Sequence, residues 1–343
     1  MQFKFIDLFA GVGGTRLSFE KAGMKCVFSS EIDQFAIRTY KRNFRKEPAG
    51  DITKIENRQI PNHNVLIAGF PCQSFSHAGQ KLGFNDPRGE LFFEIVRILK
   101  GKQPDCFLLE NVKRLKGHDD GNTLDLIIKS LSGNLDKLPS NINKIVSKKL
   151  EFSKNLNYWI DYKVLNTKDF GLPQNRERIF IVGFNLNKYK KSDIYNFFTW
   201  PKIIIKPTLV EQILEKSVDD KYTISKKLWS GHLKRKKRYL KKGHGFGYSL
   251  VTEKSIYTKT LSARYYKDGS EILIDQSKFN KRPRKLTPRE CANLQGFPKS
   301  FKLDACSNLQ LYKQFGNSVS IPVVFAIAKQ IKKTLEKLNE NKN

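Results

Sequence analysis

Cys72 stands in a setting that suits a nucleophile. It belongs to the stretch Gly69-Phe-Pro-Cys-Gln-Ser74, which follows an apolar run at 65–68 that predicts a buried strand. The thiol is therefore expected just past the carboxyl end of a strand, at the edge where open α/β sheets bind ligands. Pro71 fixes its own φ and favours an extended residue before it, so the turn is stiff. A lone cysteine is also commonly a small buried hydrophobe, and its neighbours have to decide between the two roles.

Further polar side chains could share that edge. Glu110 follows another short apolar run, so it is expected one strand further along the same edge as Cys72. Gln174, Arg176 and Arg178 alternate, which places their side chains on one face of an extended segment. Guanidinium groups there could brace carboxylates and carbonyl oxygens at a site. An ordinary exposed basic strand would show the same alternation.

A glycine-rich turn and two acids predict a cofactor site. The turn, Phe9-Ala-Gly-Val-Gly-Gly14, lies between a predicted strand at 3–8 and a predicted helix at 15–22. Glycines let a ligand approach the backbone, and the start of the helix offers free N–H groups. Glu31 ends the second predicted strand about 20 residues after the glycines, where a carboxylate can bind ribose hydroxyls. Asp51 adds an acid at a third predicted strand, 51–53.

Each of these features has a plain structural alternative. A glycine turn can serve only to reverse the chain, and Glu31 could be a surface carboxylate at a turn. The glycine spacing is not G-x-G-x-x-G, which argues against a dinucleotide site. Together, the turn and the two acids suit a cofactor that carries an adenosine and a cationic group.

The charge of the chain points to a polyanionic partner. The 343 residues include 63 Lys or Arg against 33 Asp or Glu, a net charge of +30. Residues 186–285 hold 25 Lys or Arg and 9 Asp or Glu, which leaves +16 in under a third of the chain. A lysine-rich, solvated surface would spread such an excess evenly, so the concentration favours one nucleic-acid-facing module.

Composition also sets aside several classes of protein. No apolar run approaches the roughly 20 residues of a membrane span, and the amino terminus lacks the layout of a signal peptide. The five cysteines are scattered without C-x-x-C spacing, so the sequence predicts neither a metal site nor a disulfide framework. Unpaired thiols fit a reducing compartment, and we expect a cytoplasmic protein.

The rest of the chain supplies the elements that would position these residues. The segment 73–89 is rich in glycine and polar residues, which suits a lid with glycine hinges. Residues 117–157 are interpreted as a polar insertion that contains one helix, and Asp268-Gly269 as a hairpin-like turn. Apolar patterns predict further strands at 25–30, 158–165 and 178–184, and helices at 90–100, 122–131 and 321–328.

The ordered set of motifs resembles the DNA cytosine-5 methyltransferases. The resemblance spans nearly the whole chain, and the combination in this order is specific. The matching blocks are Asp7-Leu-Phe-Ala-Gly-Val-Gly-Gly14, Glu31-Ile-Asp33, Gly69-Phe-Pro-Cys-Gln73, Glu110-Asn-Val112, Gln174-Asn-Arg-Glu-Arg178, Arg289-Glu-Cys-Ala-Asn-Leu-Gln-Gly296 and Gly316-Asn-Ser-Val319. The resemblance implies a Rossmann-like α/β sheet with helices on both faces that binds S-adenosylmethionine, plus a smaller target-recognition domain.

The resemblance also implies an organisation and partners. It places a catalytic and cofactor-binding domain at 1–185, a target-recognition domain with its hinge at 186–300, and a return to the catalytic domain at 301–343. The expected partner is double-stranded DNA, with a monomeric enzyme and a possible restriction endonuclease encoded separately. Residues 243–248 and 260–274 resemble the recognition region of Dcm-type enzymes, which predicts a GC-containing target with an internal CC.

In this family, a cysteine thiolate adds to C6 of a cytosine that has been flipped out of the duplex, which makes C5 nucleophilic. By resemblance, Cys72 is the nucleophile and Glu110 binds the base at N3 and N4, with a general-acid role. Arg176 and Arg178 would support both of them and the base O2.

Residue-by-residue resemblance gives the cofactor contacts. Glu31 would bind the ribose and Asp51 the adenine amino group, while Ile32 stands where some relatives place an aromatic side chain. The full set is Phe9, Gly11, Gly13, Gly14, Glu31, Ile32, Asp51, Pro71, Leu91, Asn317 and Ser318. Charge and resemblance together give the following DNA contacts: Gln73, Gln80, Arg88, Arg235, Lys236, Arg238, Arg264 and Tyr265.

Two other functions fit parts of the sequence. A tRNA methyltransferase of the same superfamily would usually carry a Cys-Phe-Thr block in its recognition region, and this chain has none. A catalytically inactive homologue that only binds nucleic acid would usually have lost the nucleophile or the glutamate. Cys72 and Glu110 are both present.

Overall fold

A six-stranded sheet forms the centre of the computed structural model, which describes residues 2–70, 91–134, 156–203, 208–243, 245 and 247–342. The strands are β1 (Lys4–Leu8), β2 (Lys25–Ser30), β3 (Val65–Gly69), β4 (Cys106–Val112), β5 (Tyr158–Asn166) and β6 (Glu177–Asn185). Two short strands, β7 (Leu250–Val251) and β8 (Leu273–Ile274), pair separately. The strands predicted in the first 185 residues are confirmed, apart from the one at 51–53.

The strand order creates a crevice at the carboxyl ends of the parallel strands. The order is β2-β1-β3-β4-β6-β5; β2, β1, β3 and β4 run parallel, and β6 is antiparallel to both of its neighbours. The chain leaves β1 for β2 on one side and returns to β3 on the other. Such a switch point is where open α/β sheets bind ligands.

Nine α-helices are described, and five of them, α1, α3, α4, α5 and α9, contribute to the clusters on the two faces of the sheet. They are α1 (Gly14–Lys21), α2 (Gln34–Phe44), α3 (Leu91–Lys102), α4 (Asn122–Ser132), α5 (Lys191–Phe197), α6 (Lys226–Lys241), α7 (Pro288–Leu294), α8 (Asn308–Asn317) and α9 (Ile321–Glu340). No helix among the described residues is both long enough and apolar enough to cross a membrane.

Alternation along the strands divides the core between two faces. In β1, Phe5 packs in the cluster that contains α9, whereas Ile6 packs in the cluster that contains α3 and α4. Successive side chains of a strand point to opposite faces, so a strand of consecutive apolar residues is buried on both. The sheet is therefore a middle layer, as the sequence predicts.

The last helix packs on the sheet and is longer than predicted. Its buried stripe continues beyond the predicted end at residue 328 through Ile331, Leu335 and Leu338. These residues recur every three or four positions, which keeps one face of a helix against the core. Pro322 lies in the first turn, where the missing N–H removes no helical hydrogen bond.

Two local predictions are wrong. The predicted strand at 51–53 is a short 3₁₀ helix, Ile52–Lys54, because the Asp51 carboxylate caps it by accepting from the Thr53 N–H at 3.0 Å. The Asp268-Gly269 turn does not close a hairpin, since β7 and β8 pair in parallel. Asp268 instead accepts from Arg235 and from the Ser270 N–H.

The basic segment contributes to a third hydrophobic cluster. This cluster joins Leu261, Tyr265 and Ile274 to residues of α7 and α8. Ile194 and Phe198 pack instead with the central sheet, so the start of the basic segment lies against that sheet. The division of the chain at 185, 186 and 300 stays a prediction.

Gly316 marks a close approach between α8 and the basic segment. A Cβ atom at this position would lie 2.3 Å from the carbonyl carbon and oxygen of Ser262 and 2.4 Å from the Ala263 nitrogen. These are backbone atoms, so they cannot move aside as a flexible side chain could. The junction therefore requires glycine at 316.

We expect Gly316→Ala to lower the free energy of unfolding by roughly 1–3 kcal/mol, because the methyl group overpacks the junction. Gly231→Ala in α6 is the control, since no atom of the described residues lies within 4 Å of a Cβ there. Alanine should stabilise that helix by about 0.5–1 kcal/mol. Urea unfolding measures both variants, and a Gly316→Ala protein as stable as the wild type would contradict the close approach.

Candidate active site and cofactor pocket

One pocket of about 370 Å³ occupies the crevice at the carboxyl ends of the parallel strands. This volume lies within the roughly 300–1,000 Å³ usual for small-molecule sites. The pocket brings together most of the predicted cofactor and catalytic residues that the structure describes. The predicted residues among those that line it are Phe9, Gly11, Gly14, Glu31, Ile32, Asp51, Leu91, Glu110, Arg176, Arg178, Asn317 and Ser318.

The glycine turn forms one wall of the pocket. Phe9, Gly11 and Gly13 all have positive φ, at 57°, 55° and 85°. Gly13 is outside the pocket lining, and a Cβ there would lie 2.3 Å from the Phe44 ring. Gly14 begins α1, and its Cβ would lie 2.9 Å from the Ser318 hydroxyl. The glycines thus permit both the turn and the close packing of this wall.

Glu31 is fixed by main-chain donors at the end of β2. One carboxylate oxygen accepts from the Gly11 N–H at 2.7 Å, and the other accepts from the N–H groups of Ile32 and Asp33 at 2.9 and 2.8 Å. Burial raises the pKa of Glu31, whereas these donors act in the opposite direction. A carboxylate can accept about four hydrogen bonds, so Glu31 retains capacity for a ligand hydroxyl.

Neighbouring residues complete this end of the pocket. Asp51 accepts from the Thr53 hydroxyl at 2.8 Å and also lines the pocket. Ile32 lines it too, with 66% of its surface exposed. An apolar side chain that is so exposed beside two carboxylates offers a surface for the face of a flat ring. Ser30 also lines the pocket; its buried hydroxyl has no hydrogen-bond partner among the described residues.

Glu110 and Arg178 lie at another end of the same pocket. Glu110 pairs with Gly69 across β3 and β4, so it lies beside the last residue of β3. The Arg178 Nε atom is 3.2 Å from a Glu110 carboxylate oxygen, and both side chains are more than four-fifths buried. Burial raises the pKa of Glu110, and the charges of Arg178 and Arg176 act against that rise. The predicted adjacency of these two side chains is present in the structure.

Arg176 makes structural contacts beyond the predicted support of the catalytic residues. Its side chain is 2% exposed, and its guanidinium donates to the carbonyl oxygens of Leu261, Gly316 and Ser318 at 2.9, 3.2 and 2.8 Å. Gln174, predicted on the same face, donates to the Leu294 carbonyl and accepts from the Leu261 N–H. Both residues therefore tie the segment before β6 to the basic segment.

The predicted nucleophile and lid residues lie outside the described residues: Pro71, Cys72, Gln73, Gln80 and Arg88. The structure does describe the residues that flank them. Phe70 and Leu91 both line the pocket. The Asn111 side chain donates to the Phe70 carbonyl at 3.2 Å, which holds the end of β3 against β4.

The predicted DNA contacts on α6 differ in exposure, since Arg235 and Lys236 are half-buried beside the buried His232. Arg235 pairs with Asp268 at 3.0 Å, the Lys236 ammonium lies 4.6 Å from the centre of the Tyr248 ring, and Arg238 is exposed. Arg264 is exposed as well. Tyr265 does not fit a DNA contact because its side chain is fully buried. Its hydroxyl donates to the Ile272 carbonyl and accepts from the Leu286 N–H, so it belongs to the core.

Some pocket residues carry no role predicted from the sequence. Ser30, Asn111 and Lys313 line the pocket, although the sequence analysis assigned no role to any of them. Asn111 stands in the quoted block Glu110-Asn-Val112, and Lys313 lies one helical turn before Asn317. Asn111 could have been found by considering every residue of its motif, and Lys313 by considering the residue one helical turn before Asn317.

Solved structures define the class of protein. The Entamoeba histolytica methyltransferase EhMeth aligns with 100% of this chain and 99% of its own, with a TM-score of 0.73 and 20% identity. Dnmt2 methyltransferase of S. pombe aligns with a TM-score of 0.71 and 18% identity, over 98% of this chain and 100% of its own. At these identities the likeness shows the fold, which is that of α/β methyltransferases.

Sequence comparison then gives the family. Residues 3–333 match the family model of the C-5 cytosine-specific DNA methylases. Type II methyltransferase M1.ScrFI of Lactococcus lactis subsp. cremoris is 54% identical over 337 residues, or 98% of this chain and 79% of that protein. Type II methyltransferase M.NlaX of Neisseria lactamica is 51% identical over 99% of both chains. The chain belongs to the C-5 cytosine-specific DNA methylase family, as the ordered motifs predict.

Family membership implies S-adenosylmethionine as the methyl donor, and the pocket fits that group. The ligand carries hydroxyls, an adenine and a charged amino-acid end. The Ser30 hydroxyl, which has no partner in the described part of the chain, and the remaining capacity of Glu31 suit polar groups of such a ligand. Exposed Ile32 suits its ring. The glycine turn leaves the room that side chains would fill.

A buried carboxyl outside the pocket lining makes stability depend on pH. Asp7 in β1 is fully buried and pairs with the Thr15 hydroxyl at 2.5 Å. Burial raises its pKa from 3.8 to about 7, against the opposing effects of Thr15 and Arg16. The folded protein therefore keeps a proton on Asp7 up to about pH 7, whereas the unfolded chain releases it near pH 4. The contribution of protonated Asp7 to the free energy of unfolding is fully present below pH 4 and is lost as pH rises through 7.

We expect Asp7→Asn to remove this pH dependence. The variant and the wild type should differ least near pH 4, and the variant should be more stable by roughly 1–3 kcal/mol at pH 8. Urea unfolding across this pH range measures the difference. Asp304→Asn is the control, because Arg42 lowers the pKa of Asp304 and its removal should not stabilise the protein at pH 8. A difference that does not vary with pH would contradict the buried proton.

Proposed function

We propose that this protein transfers a methyl group from S-adenosylmethionine to C5 of a flipped-out cytosine in a specific double-stranded DNA sequence, with Cys72 as nucleophile. One observation carries the proposal: a single pocket joins the carboxylates of Glu31 and Asp51 to the pair Glu110 and Arg178. Cys72 is the second residue after Phe70, which lines that pocket. Membership of the family supplies the reaction class.

Each group of pocket residues would hold a different part of the cofactor. S-adenosylmethionine, when bound, supplies a methyl group on a positively charged sulfur. Glu31 would accept from the ribose hydroxyls and Asp51 from the adenine amino group, with Ile32 against the ring. The rest of the cofactor would be lined by Phe9, Gly11, Gly14, Leu91, Asn317 and Ser318. The predicted contact of Pro71 stays a prediction.

Glu110 is suited to bind the base in its protonated form. Burial raises the pKa of this carboxyl, which favours the proton that it would donate at N3. The Cys72 thiolate would form a bond to C6 while Glu110 donates its proton to N3, and the ring electrons would pass to C5, which takes the methyl group. Loss of the C5 proton to a base would then restore the C5–C6 double bond, expel the thiolate and return the N3 proton to Glu110. Arg178 would orient Glu110, and Arg176 would hold the surrounding main chain.

The basic segment would bind the duplex. Its exposed cations, such as Arg238 and Arg264, suit phosphate contacts. We propose the division predicted from the sequence, with recognition and hinge at 186–300 between two parts of a catalytic domain. The relatives' printed name, Type II methyltransferase, supports a restriction-modification setting in a bacterial cytoplasm, with any cognate endonuclease encoded separately.

Transfer of a tritiated methyl group to DNA and to tRNA tests the proposed reaction. The wild type should label DNA, and Cys72→Ser should lose at least roughly 10³-fold in rate while it still binds DNA. Glu110→Gln should lose roughly 10²–10⁴-fold, because an amide cannot donate the acid proton. Duplex that contains 5-fluorocytosine should trap a covalent complex with the wild type alone, since fluorine cannot leave as the C5 proton does.

Different outcomes separate the alternatives. Label in tRNA but not in DNA would assign a different substrate, and no label in either would exclude the enzyme. Full activity of Cys72→Ser would remove the nucleophile assignment. Bisulfite sequencing of DNA from a host that expresses the protein would test the predicted GC-containing target with an internal CC.

The salt dependence of DNA affinity tests the binding of phosphates by α6. We expect Lys236→Gln with Arg238→Gln to reduce the slope of log Kd against log salt by about 1 for each phosphate that these side chains neutralise in the wild type. Glutamine keeps much of each stem, so the packing of residue 236 on Tyr248 is largely retained. Lys163→Gln with Lys333→Gln is the matched control, because both lysines are exposed and lie outside the proposed recognition segment at 186–300. Equal slopes for the two double variants would contradict DNA binding by α6.

A further inference from the structure

Three cations line the pocket within the described residues, and two of them are engaged by the protein. Arg178 pairs with Glu110, and Arg176 donates to three main-chain carbonyls. The third is Lys313 in α8. Its ammonium makes no ion pair with a described carboxylate, and it lies 5.3 Å from the centre of the Tyr266 ring. A half-buried ammonium at a ligand pocket is therefore available for an anionic group.

Lys313 belongs to a different element of the pocket wall from Glu31 and Asp51. It lies four residues before Asn317, so both residues fall on one face of α8, and both line the pocket. Ser318 follows, and its hydroxyl packs against Gly14 at the start of α1. This wall combines a cation, an amide and a hydroxyl, whereas the wall around Glu31 and Asp51 is anionic.

The two walls differ as the two ends of the cofactor do. The adenosine end offers hydroxyls and an amino group, which carboxylates bind. The amino-acid end carries a carboxylate, which an ammonium binds through charge-assisted hydrogen bonds. A ligand oriented the other way would bring its carboxylate towards Glu31 and Asp51.

We propose that Lys313 binds the carboxylate of the cofactor's amino-acid end and thereby fixes which way the cofactor lies in the pocket. This inference rests on the proposed use of S-adenosylmethionine. Tyr266 belongs to the basic segment, and its ring would position the ammonium by a cation–π contact. Lys313 is thus a binding residue, and Tyr266 a positioning residue.

Calorimetric binding of two product analogues tests the assignment without catalysis. S-adenosylhomocysteine keeps the carboxylate, and its decarboxylated analogue lacks that group alone. We expect Lys313→Met to weaken the binding of S-adenosylhomocysteine by roughly 10- to 100-fold and to leave the affinity for the decarboxylated analogue unchanged. Lys313→Arg should retain most of the affinity, and Tyr266→Phe, which keeps the ring, should bind as the wild type does.

Other results would overturn the assignment. Equal reductions in affinity for both analogues would show a general effect on the pocket, and no reduction for either would show that Lys313 does not touch the ligand. If Lys313→Met lowers only the salt slope of DNA binding, the ammonium contacts a phosphate instead. Thermal unfolding confirms that each variant is folded. Failure of the wild type to bind S-adenosylhomocysteine would instead contradict the proposed function.

Discussion

The pocket depends on the buried guanidinium of Arg176. A buried charge is costly unless hydrogen bonds replace its water, and here three main-chain carbonyls do so. Those carbonyls come from Leu261 in the basic segment and from Gly316 and Ser318 beside the pocket. Because Arg176 directly precedes β6, one side chain relates the sheet, the basic segment and the far wall of the pocket. Removal of the guanidinium would leave three buried carbonyl oxygens to find other partners.

Glu31 and Glu110 are two carboxyl groups in one pocket, and they are held by different kinds of partner. Burial raises the pKa of both Glu31 and Glu110. Glu31 accepts from three N–H groups, which cannot leave and which favour its ionised form. Glu110 faces one guanidinium at 3.2 Å. Main-chain N–H groups thus oppose the rise in the pKa of Glu31, whereas cationic side chains oppose the rise in the pKa of Glu110.

Much of the sheet and half of the pocket follow from local patterns, and the errors arise where tertiary contacts decide. Glu31 lies where the sequence predicts because strand β2 ends at Ser30. Asp51 is predicted in a strand, but its carboxylate caps a 3₁₀ helix, as short polar side chains at turns often do. Tyr265 resembles a stacking surface beside Arg264, yet its hydroxyl finds two main-chain partners in the core. The packing that buries it is not visible in local sequence.

The contacts that seat the basic segment explain why its docking could not be predicted from side chains. Leu261 is bound through both its N–H and its carbonyl, by Gln174 and Arg176. Thr258 exchanges main-chain hydrogen bonds with Pro173 and Asn175. Bonds to main-chain atoms ask little of the side chains in the segment, so exposed residues such as Arg264 are free to vary while the junction stays intact.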